Sequence, residues 1–493
     1  MTDMPHYPLY IAGTWRAGST ATVMQSLNPA TGMPWATFDC TSPQDVGDAV
    51  TAARAALDAP AWRDMTATAR GKLLFRLADL IAEHADHLGA IETTDSGKLA
   101  AETTAQTGYV ADYYRYYAGL ADKIEGAVLP IDKPDMHVYT QRLPIGVVAA
   151  VVPWNAQMFL AATKVAPALA AGCCVIIKAS EIAPAPMLEF AKLIDAAGFP
   201  AGVVSVITGD AENCAIPLTK HKDVDRIAFT GGPDAARHVV RNSAENFAVT
   251  TLELGGKSPI LVFDDADVDA AVNGLIAGNF GASGQSCVAG TRGFVHRSIY
   301  DQVVAAITEK AKNLVVGDPH DGMTHLGPLC TTAQVARIEQ TLSKAHQQGA
   351  RVAFGGARVA GLSDHYFQPT LVLTDRADIE TMQVEMFGPV MTLMPFETEE
   401  EAIALANDSD FGLGSGVFTQ NVARAHRVSR RIRSGITWVN TYRAISPIAP
   451  FGGFNQSGYG REAGREAILD YTRVKTTWIN TSDAPMANPF VMR

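Results

Sequence analysis

The chain has few cysteines, and none are spaced to hold a metal or a framework of bridges. Six thiols, at positions 40, 173, 174, 214, 287 and 330, are scattered over 493 residues. No CxxC pair occurs and Cys173 and Cys174 are adjacent, which argues against a zinc site or a disulfide scaffold. Scattered free thiols fit a reducing compartment. Basic charge is also short. Forty Lys and Arg against 51 Asp and Glu leave a formal net charge of −11, and a nucleic-acid surface needs a basic stripe. Long apolar runs are missing: "IGVVAAVV" (145–152) is a strand in length, far from the roughly 18–20 residues that span a bilayer. The opening "MTDMPHYPLYIAGTW" lacks a basic region followed by an apolar one, so no signal peptide is readable. These absences predict a cytoplasmic protein with no nucleic-acid, membrane or metal partner.

What is present supports large cores, because 47% of the residues are apolar and only 18% charged. The length implies two or three domain-sized units. After a short strand-like opening the first hundred residues read as helical. A capping signal at Ser42 starts "SPQDVGDAVTAARAAL", and Leu73, Leu77, Leu80, Ile81 and Leu88 recur along one predicted face. From 145 the pattern alternates between β-branched runs and helical segments. The runs "IGVVAAVV", "CVIIK" (174–178), "VVSVI" (203–207) and "RIAF" (226–229) predict a parallel sheet covered on both faces, with ligands at its carboxyl ends. A second α/β stretch, about 254–455, contributes strand candidates "TRGFVH", "PVMTLMPF", "GSGVFT" and "GITWVN". Helical "REAGREAILDYT" then leads to a tail, "RVKTTWINTS", that alternates like an edge strand in need of a partner.

Several local patterns have a chemical reading beside a plain one. In "NFGASGQSC" (279–287) the small residues make Cys287 either an apolar filler or a nucleophile delivered by a flexible segment. Asn155 in "VPWNAQ" (152–157) ends a strand as a turn residue or as an N–H donor for developing negative charge. Lys178 and Glu181 in "KASE" are solvated strand-end charges or ligands for ribose hydroxyls. "FTGGPDAARHVV" (229–240) joins a strand to a helix start that suits phosphate, without being GxGxxG. Glu253 in "LELGGKSP" is a base with a pKa raised by burial, or half of an ion pair with a lysine. "EMFGPV" (385–390) and "PFGGFNQSGYGRE" (450–462) read alone as a turn and a glycine-rich loop.

Taken together, "PWNAQ", "KASE", "FTGG", "LELGGKSP", "GQSC", "EMFGPV" and "PFGGFNQSGYGRE" resemble, in order and spacing over nearly the whole chain, the aldehyde dehydrogenase superfamily of the NAD(P)-dependent, non-acylating, hydrolytic type. The resemblance implies Cys287 as nucleophile, Glu253 as general base and Asn155 as oxyanion donor, with Lys164 and Glu462 passing the base's proton outward. It implies Lys178 and Glu181 at the adenosine ribose and Glu385, with Phe387, at the nicotinamide ribose. Trp154, Ser180, Thr230, Gly231, Gly232 and Leu254 complete the cofactor contacts. NAD is the implied cofactor, with NADP a poorer alternative, and no metal is required. The implied fold is α/β: a Rossmann-type cofactor domain (1–122 and 145–253), a catalytic domain (254–455), a returning helical segment (456–472), and a small β oligomerisation element (123–144 and 473–493) building a homodimer or homotetramer.

The implied reaction oxidises a small-molecule aldehyde to its acid through a Cys287 thiohemiacetal and thioester. Two rivals use the same cysteine: a CoA-acylating relative, against which Glu253 speaks, and a nitrilase-like hydrolase, against which the cofactor motifs speak. Three departures bear on specificity. Gly232 stands where many relatives carry serine. Ala156 is small, and the usual proline after Asn155 is missing. Thr163 stands where some relatives place tryptophan and those acting on acidic semialdehydes place arginine. Neutral aldehydes of moderate size are therefore expected over succinate semialdehyde; Arg443 in "NTYRAISP" is read either as a cation near the substrate mouth or as a solvated surface arginine.

Overall fold

The computed structural model describes residues 4–486 and 488–491. Residues 1–3 of the expected cofactor segment, and 487, 492 and 493 of the expected oligomerisation element, lie outside the described residues. Two large sheets organise the chain. In the first, Val147–Val151, Cys174–Lys178, Val204–Ile207, Arg226–Thr230 and Val249–Glu253 run parallel. Every residue of the first four strands is buried, as helices on both faces require. From Val147–Val151 the chain winds one way through Cys174–Lys178 and Val204–Ile207. It then crosses to the other side for Arg226–Thr230 and Val249–Glu253. The carboxyl ends of Val147–Val151 and Arg226–Thr230 thus flank a topological switch point, where doubly wound sheets bind ligands.

The edges of this sheet depart from the expectation. Five short strands, not one, precede residue 40; Leu9–Ile11 and Thr14–Arg16 extend the sheet antiparallel, and the others form a separate three-stranded sheet. Ser42 does cap the Pro43–Asp58 helix, in a reciprocal capping box with Asp45. The Ala67–Glu83 helix buries Leu74, Leu77, Ala78 and Ile81, so Leu73 and Leu80 sit at the margin. Leu88 belongs to the next helix, Ala85–Ser96. At the far edge, the expected helical segment 456–472 needs correcting. Gly458–Tyr459 pairs antiparallel with Leu252–Glu253, and only Gly464–Ala467 and Ile468–Tyr471 are helical. Glycine is the reason: a Cβ at Gly458 would lie 2.0 Å from the Leu252 carbonyl oxygen, so the loop hugs the strand only without a side chain.

The second sheet runs in the order Arg351–Phe354, Thr370–Leu373, Val390–Phe396, Arg292–His296, Pro259–Val262, Gly414–Phe418 and Ile436–Val439, parallel except at its first strand. The tail strand Thr472–Asn480 pairs along its whole length with Met136–Pro144. This ribbon belongs to neither large sheet, and it leaves Leu143, Val474, Trp478 and Ile479 exposed. No described helix is long and apolar enough to cross a membrane.

Candidate functional site

Cys287 lies on the link between the Val268–Phe280 helix and the Arg292–His296 strand, and that link is strained and pinned. Ala282 and Ser283 take left-handed φ values of +53° and +52°, followed by Gly284 at +74°. Non-glycine residues persist there only where the surroundings fix them. Four contacts do so. The Ala282 N–H donates to Glu102 Oε1 at 3.0 Å, and Ser283 Oγ donates to the Gly327 carbonyl at 2.9 Å. Gln285 Oε1 accepts from the Cys330 N–H at 2.8 Å, and Asn155 Nδ2 donates to the Gln285 carbonyl at 3.1 Å. The glycines serve close approach: a Cβ on Gly284 would meet the Gly388 carbonyl at 2.2 Å, and one on Gly281 would meet Arg443 Nη1 at 1.9 Å. The segment is thus held at several points, and its small residues let neighbouring groups press in.

Cys287 opens into a cleft of about 360 Å³ at the switch point. Trp154, Asn155, Thr230, Gly231, Gly232, Leu254, Glu385 and Phe387 line the same cleft, which brings most of the motif residues together. Burial, followed by the carboxylates of Glu385 and Glu253, pushes the Cys287 thiol up to about 12. The resting group is the thiol, and the thiolate needs a base or a nearby cation. Away from the cleft, Cys287 joins an apolar cluster of Val288, Leu413, Trp438, Tyr442 and Phe451.

Glu253, Lys164 and Glu462 form a second, fully buried group beside the first. Burial above all, then the charge of Glu462, holds the Glu253 carboxyl well above the usual carboxylate range. Neither Glu253 oxygen has a hydrogen-bond partner among the described residues. Gly452 makes room for the carboxyl, since a Cβ there would stand 2.8 Å from Oε1. The carboxylate partner of Lys164 is Glu462, at 2.7 Å, and not Glu253. Its hydrogen bonds go to the Leu160 carbonyl at 3.2 Å and to Thr230 Oγ1 at 2.6 Å. Lys164 thereby ties the buried pair to a residue of the cleft.

The remaining features suit a dinucleotide. Lys178 and Glu181 meet at 2.5 Å at the carboxyl end of their strand, with Ser180 buried between them. Gly232 caps the Pro233–Ser243 helix, and nothing lies within 4 Å of where its Cβ would be, which leaves space for phosphate at the helix N-terminus. Trp154 and Phe387 stand edge to face across the cleft, centroids 5.4 Å apart. Glu385 Oε1 accepts the Gly256 N–H at 2.9 Å, and burial pushes its carboxyl up to about 7. A Cβ on Gly255 would stand 2.0 Å from Glu385, so only glycine admits that carboxyl.

Two lining residues have no signal in the sequence, Gln334 and Arg337, one turn apart on the Thr332–Gln347 helix. The Gln334 amide donates to the carbonyl of Phe387, which itself holds a left-handed φ of +57°. Arg443 takes a more structural place than expected. Its Nη1 donates to the Ala277 carbonyl at 3.3 Å, in the last turn of the Val268–Phe280 helix, as a cation at a helix C-terminus does.

A model of the aldehyde dehydrogenase family matches residues 15–477. The chain is 52% identical, over 99% of its own length and 100% of the relative's, to (Z)-2-((N-methylformamido)methylene)-5-hydroxybutyrolactone dehydrogenase of Acinetobacter baylyi. Betaine aldehyde dehydrogenase of Staphylococcus aureus, solved in complex with NAD+, superposes with a TM-score of 0.96 at 36% identity, covering 99% of this chain and 97% of that one. The NAD+ complex of an aldehyde dehydrogenase from Bacillus cereus gives 0.94 at 38%, covering 97% of each chain. A family model that spans all but the two ends, and a relative half identical from end to end, agree with the folded site: the chain belongs to the aldehyde dehydrogenase family.

Proposed function

We propose that the protein oxidises an aldehyde to the carboxylic acid with NAD+, through a thiohemiacetal and then a thioester on Cys287. The observation that carries this reading is the convergence of the Cys287 thiol and the Asn155 amide in one cleft at the switch point. Addition of the sulfur to the aldehyde carbon makes a tetrahedral oxyanion that can expel hydride, which a planar carbonyl cannot. One Asn155 N–H is held by the Gln285 carbonyl, which fixes the amide and leaves its other N–H to be offered to the reacting oxygen. Together with the Cys287 backbone N–H it would stabilise the oxyanion, and losing one such donor costs roughly 100- to 1000-fold in rate. When bound, the oxidised cofactor supplies the hydride acceptor and a cationic ring that favours the thiolate. Glu253, relayed through Lys164 and Glu462, takes the proton from the water that releases the acid.

In this reading Lys178, Ser180 and Glu181 hold the adenosine ribose, Gly231 and Gly232 the phosphates, and Trp154, Leu254, Glu385 and Phe387 the nicotinamide end. Gln334 and Arg337 join them. The first large sheet belongs to the cofactor domain and the second, from 259 to 439, to the catalytic domain. The exposed apolar face of the Met136–Pro144 and Thr472–Asn480 ribbon pairs copies of the chain into a homodimer or homotetramer. Six free thiols fit a reducing, cytoplasmic setting.

Neutral substrates fit best. The walls beside Cys287 are apolar, and the guanidinium of Arg443 is engaged on a helix end. The Acinetobacter relative is named for a neutral ring, and a 5-hydroxybutyrolactone is the closed form of an aldehyde that carries an acid. Entry as the closed ring would mask that charge until the carbonyl opens beside the thiol. Steady-state kinetics with NAD+ on uncharged aldehydes, on 5-hydroxybutyrolactones (succinate semialdehyde closes to the unsubstituted ring) and on 4-carboxybenzaldehyde, whose acid cannot close on its aldehyde, test this. The first two groups should show the higher kcat/KM; a clear preference for the carboxylate that cannot close would refute it.

Cofactor choice rests on Glu181. A carboxylate facing the adenosine ribose accepts hydrogen bonds from both hydroxyls of NAD+, whereas a 2′-phosphate removes one donor and adds like charge. Lys178, paired with Glu181, offsets only part of that repulsion. NAD+ should hold at least a tenfold advantage in kcat/KM, about 1.4 kcal/mol. Glu181→Gln should narrow it by improving NADP+ more than it harms NAD+. An unchanged ratio would show that Glu181 is not the selector.

A further inference from the structure

Thr163 is expected to shape the substrate tunnel, yet its hydroxyl faces the buried carboxylates. The side chain is buried on the Gln157–Ala171 helix, next to Lys164. Its single proton has two acceptors, Glu462 Oε2 at 2.6 Å and the Leu160 carbonyl at 3.0 Å. The shorter, charge-assisted contact takes it. Glu462 is thus held by a hydrogen bond from Thr163 on Oε2 and by an ion pair with the Lys164 ammonium, 2.7 Å from Oε1, which accepts no hydrogen bond among the described contacts. Its backbone is fixed as well, in a bridge with Phe451 whose two N–H···O bonds are 2.6 and 2.8 Å. Glu253 stands beside this pair with both oxygens unpartnered.

Two buried carboxylates next to one ammonium cannot both carry charge without cost, which favours a proton on one of them. The carboxylate with the donors keeps the charge. We propose that Thr163 is a positioning residue: with Lys164 it holds the negative charge on Glu462 and so keeps the shared proton on Glu253. This inference rests on the reading of Glu253 as base. The other charged or titratable groups near Glu462 are Arg461 beside it in the chain, Tyr113 and Tyr117 of the Ala100–Leu120 helix, and Tyr471. None of them donates a hydrogen bond to its carboxylate among the described contacts.

A neutral Glu253 has a second effect, because its ionised form would oppose the Cys287 thiolate. Holding the proton there eases ionisation of the nucleophile in the resting site. When Thr163 loses its hydroxyl, Glu462 competes for the proton and the ionised form of Glu253 becomes more abundant. The base is then available at lower pH, and the thiol becomes harder to ionise.

The test compares wild type, Thr163→Val, Thr163→Ser and Thr163→Ala, each checked for a native melting transition. Two profiles are recorded against pH: thioester hydrolysis, from the steady state after the NADH burst, and alkylation of Cys287 by iodoacetamide in the absence of substrate. Thr163→Val and Thr163→Ala should move the acid limb of hydrolysis down by about half a unit or more, and the alkylation profile up by a similar amount. At a fixed pH on the limb that is about a threefold change. Thr163→Ser, which keeps the donor, should follow wild type. In a Glu253→Gln background, Thr163→Val should leave the alkylation profile where it is. Unchanged profiles in Thr163→Val, or an equal shift in Thr163→Ser, would reduce Thr163 to packing and leave the base assignment standing. Hydrolysis unaffected by Glu253→Gln would instead remove the base assignment, and this inference with it.

Discussion

Cys287→Ala should abolish aldehyde oxidation while the cofactor still binds. The thiol lies at the meeting point of the cleft and the apolar cluster, and nothing else lining the cleft is a nucleophile of comparable strength. Without it the aldehyde carbon has no route to the tetrahedral state from which hydride can leave. The expected loss is on the order of 10⁴- to 10⁶-fold in kcat, the range seen when a covalent nucleophile is removed. Alanine deletes one sulfur atom from a segment pinned at residues 282, 283 and 285, so the fold and the cofactor contacts should survive. Absorbance of the reduced cofactor follows turnover, and calorimetric titration with NAD+ follows binding. Appreciable NAD+-dependent turnover by the variant would overturn the assignment.

Glu253→Gln should separate the two halves of the reaction. The amide fits the same buried space but cannot accept a proton, so hydride transfer should persist while hydrolysis of the thioester slows by about 10²- to 10⁴-fold. Rapid mixing should show at most one NADH per site formed quickly, followed by a slow steady state. Equal slowing of both phases, or of neither, would contradict the role of base. The wild-type pH dependence has a definite sign. Burial and the charge of Glu462 raise the folded pKa of Glu253, and the form able to accept a proton exists only above it. Hydrolysis should therefore climb through an acid limb lying well above the range of an ordinary carboxylate. The glutamine variant should lose that limb.

Much of this was legible along the chain because the signals are local. Short β-branched runs predict buried parallel strands, since a strand covered on both faces has no polar side to show, and Val147–Val151 and Cys174–Lys178 are buried throughout. Glycines next to a carboxylate or a cysteine mark close backbone approach, and Gly255 against Glu385 and Gly284 against Gly388 are two such approaches. Other elements resisted. The 456–472 segment is helical only from Gly464, although Arg461, Glu462 and Ala463 are helix formers. Its earlier glycines are committed to an edge strand by a contact with Leu252, Glu462 bridges to Phe451 and Ala463 takes a left-handed φ of +57°. Gln334 and Arg337 sit on an ordinary amphipathic helix, and nothing in the spacing says which of its faces meets the cleft.

The sequence by itself determined the α/β class, the places of the principal strands along the chain and the motif residues that the cleft brings together, because periodicity, glycine placement and motif order are properties of neighbours in the chain. Tertiary structure alone decided how those groups are paired. Thr163 and Glu462 are 299 residues apart, and Asn155 and Gln285 are 130 apart. Whether Lys164 pairs with Glu253 or Glu462, and whether Arg443 faces a substrate or a helix end, depends on which surfaces packing brings within 3 Å or so. Hydrogen bonds and buried charge act only at that range, and no local pattern encodes it.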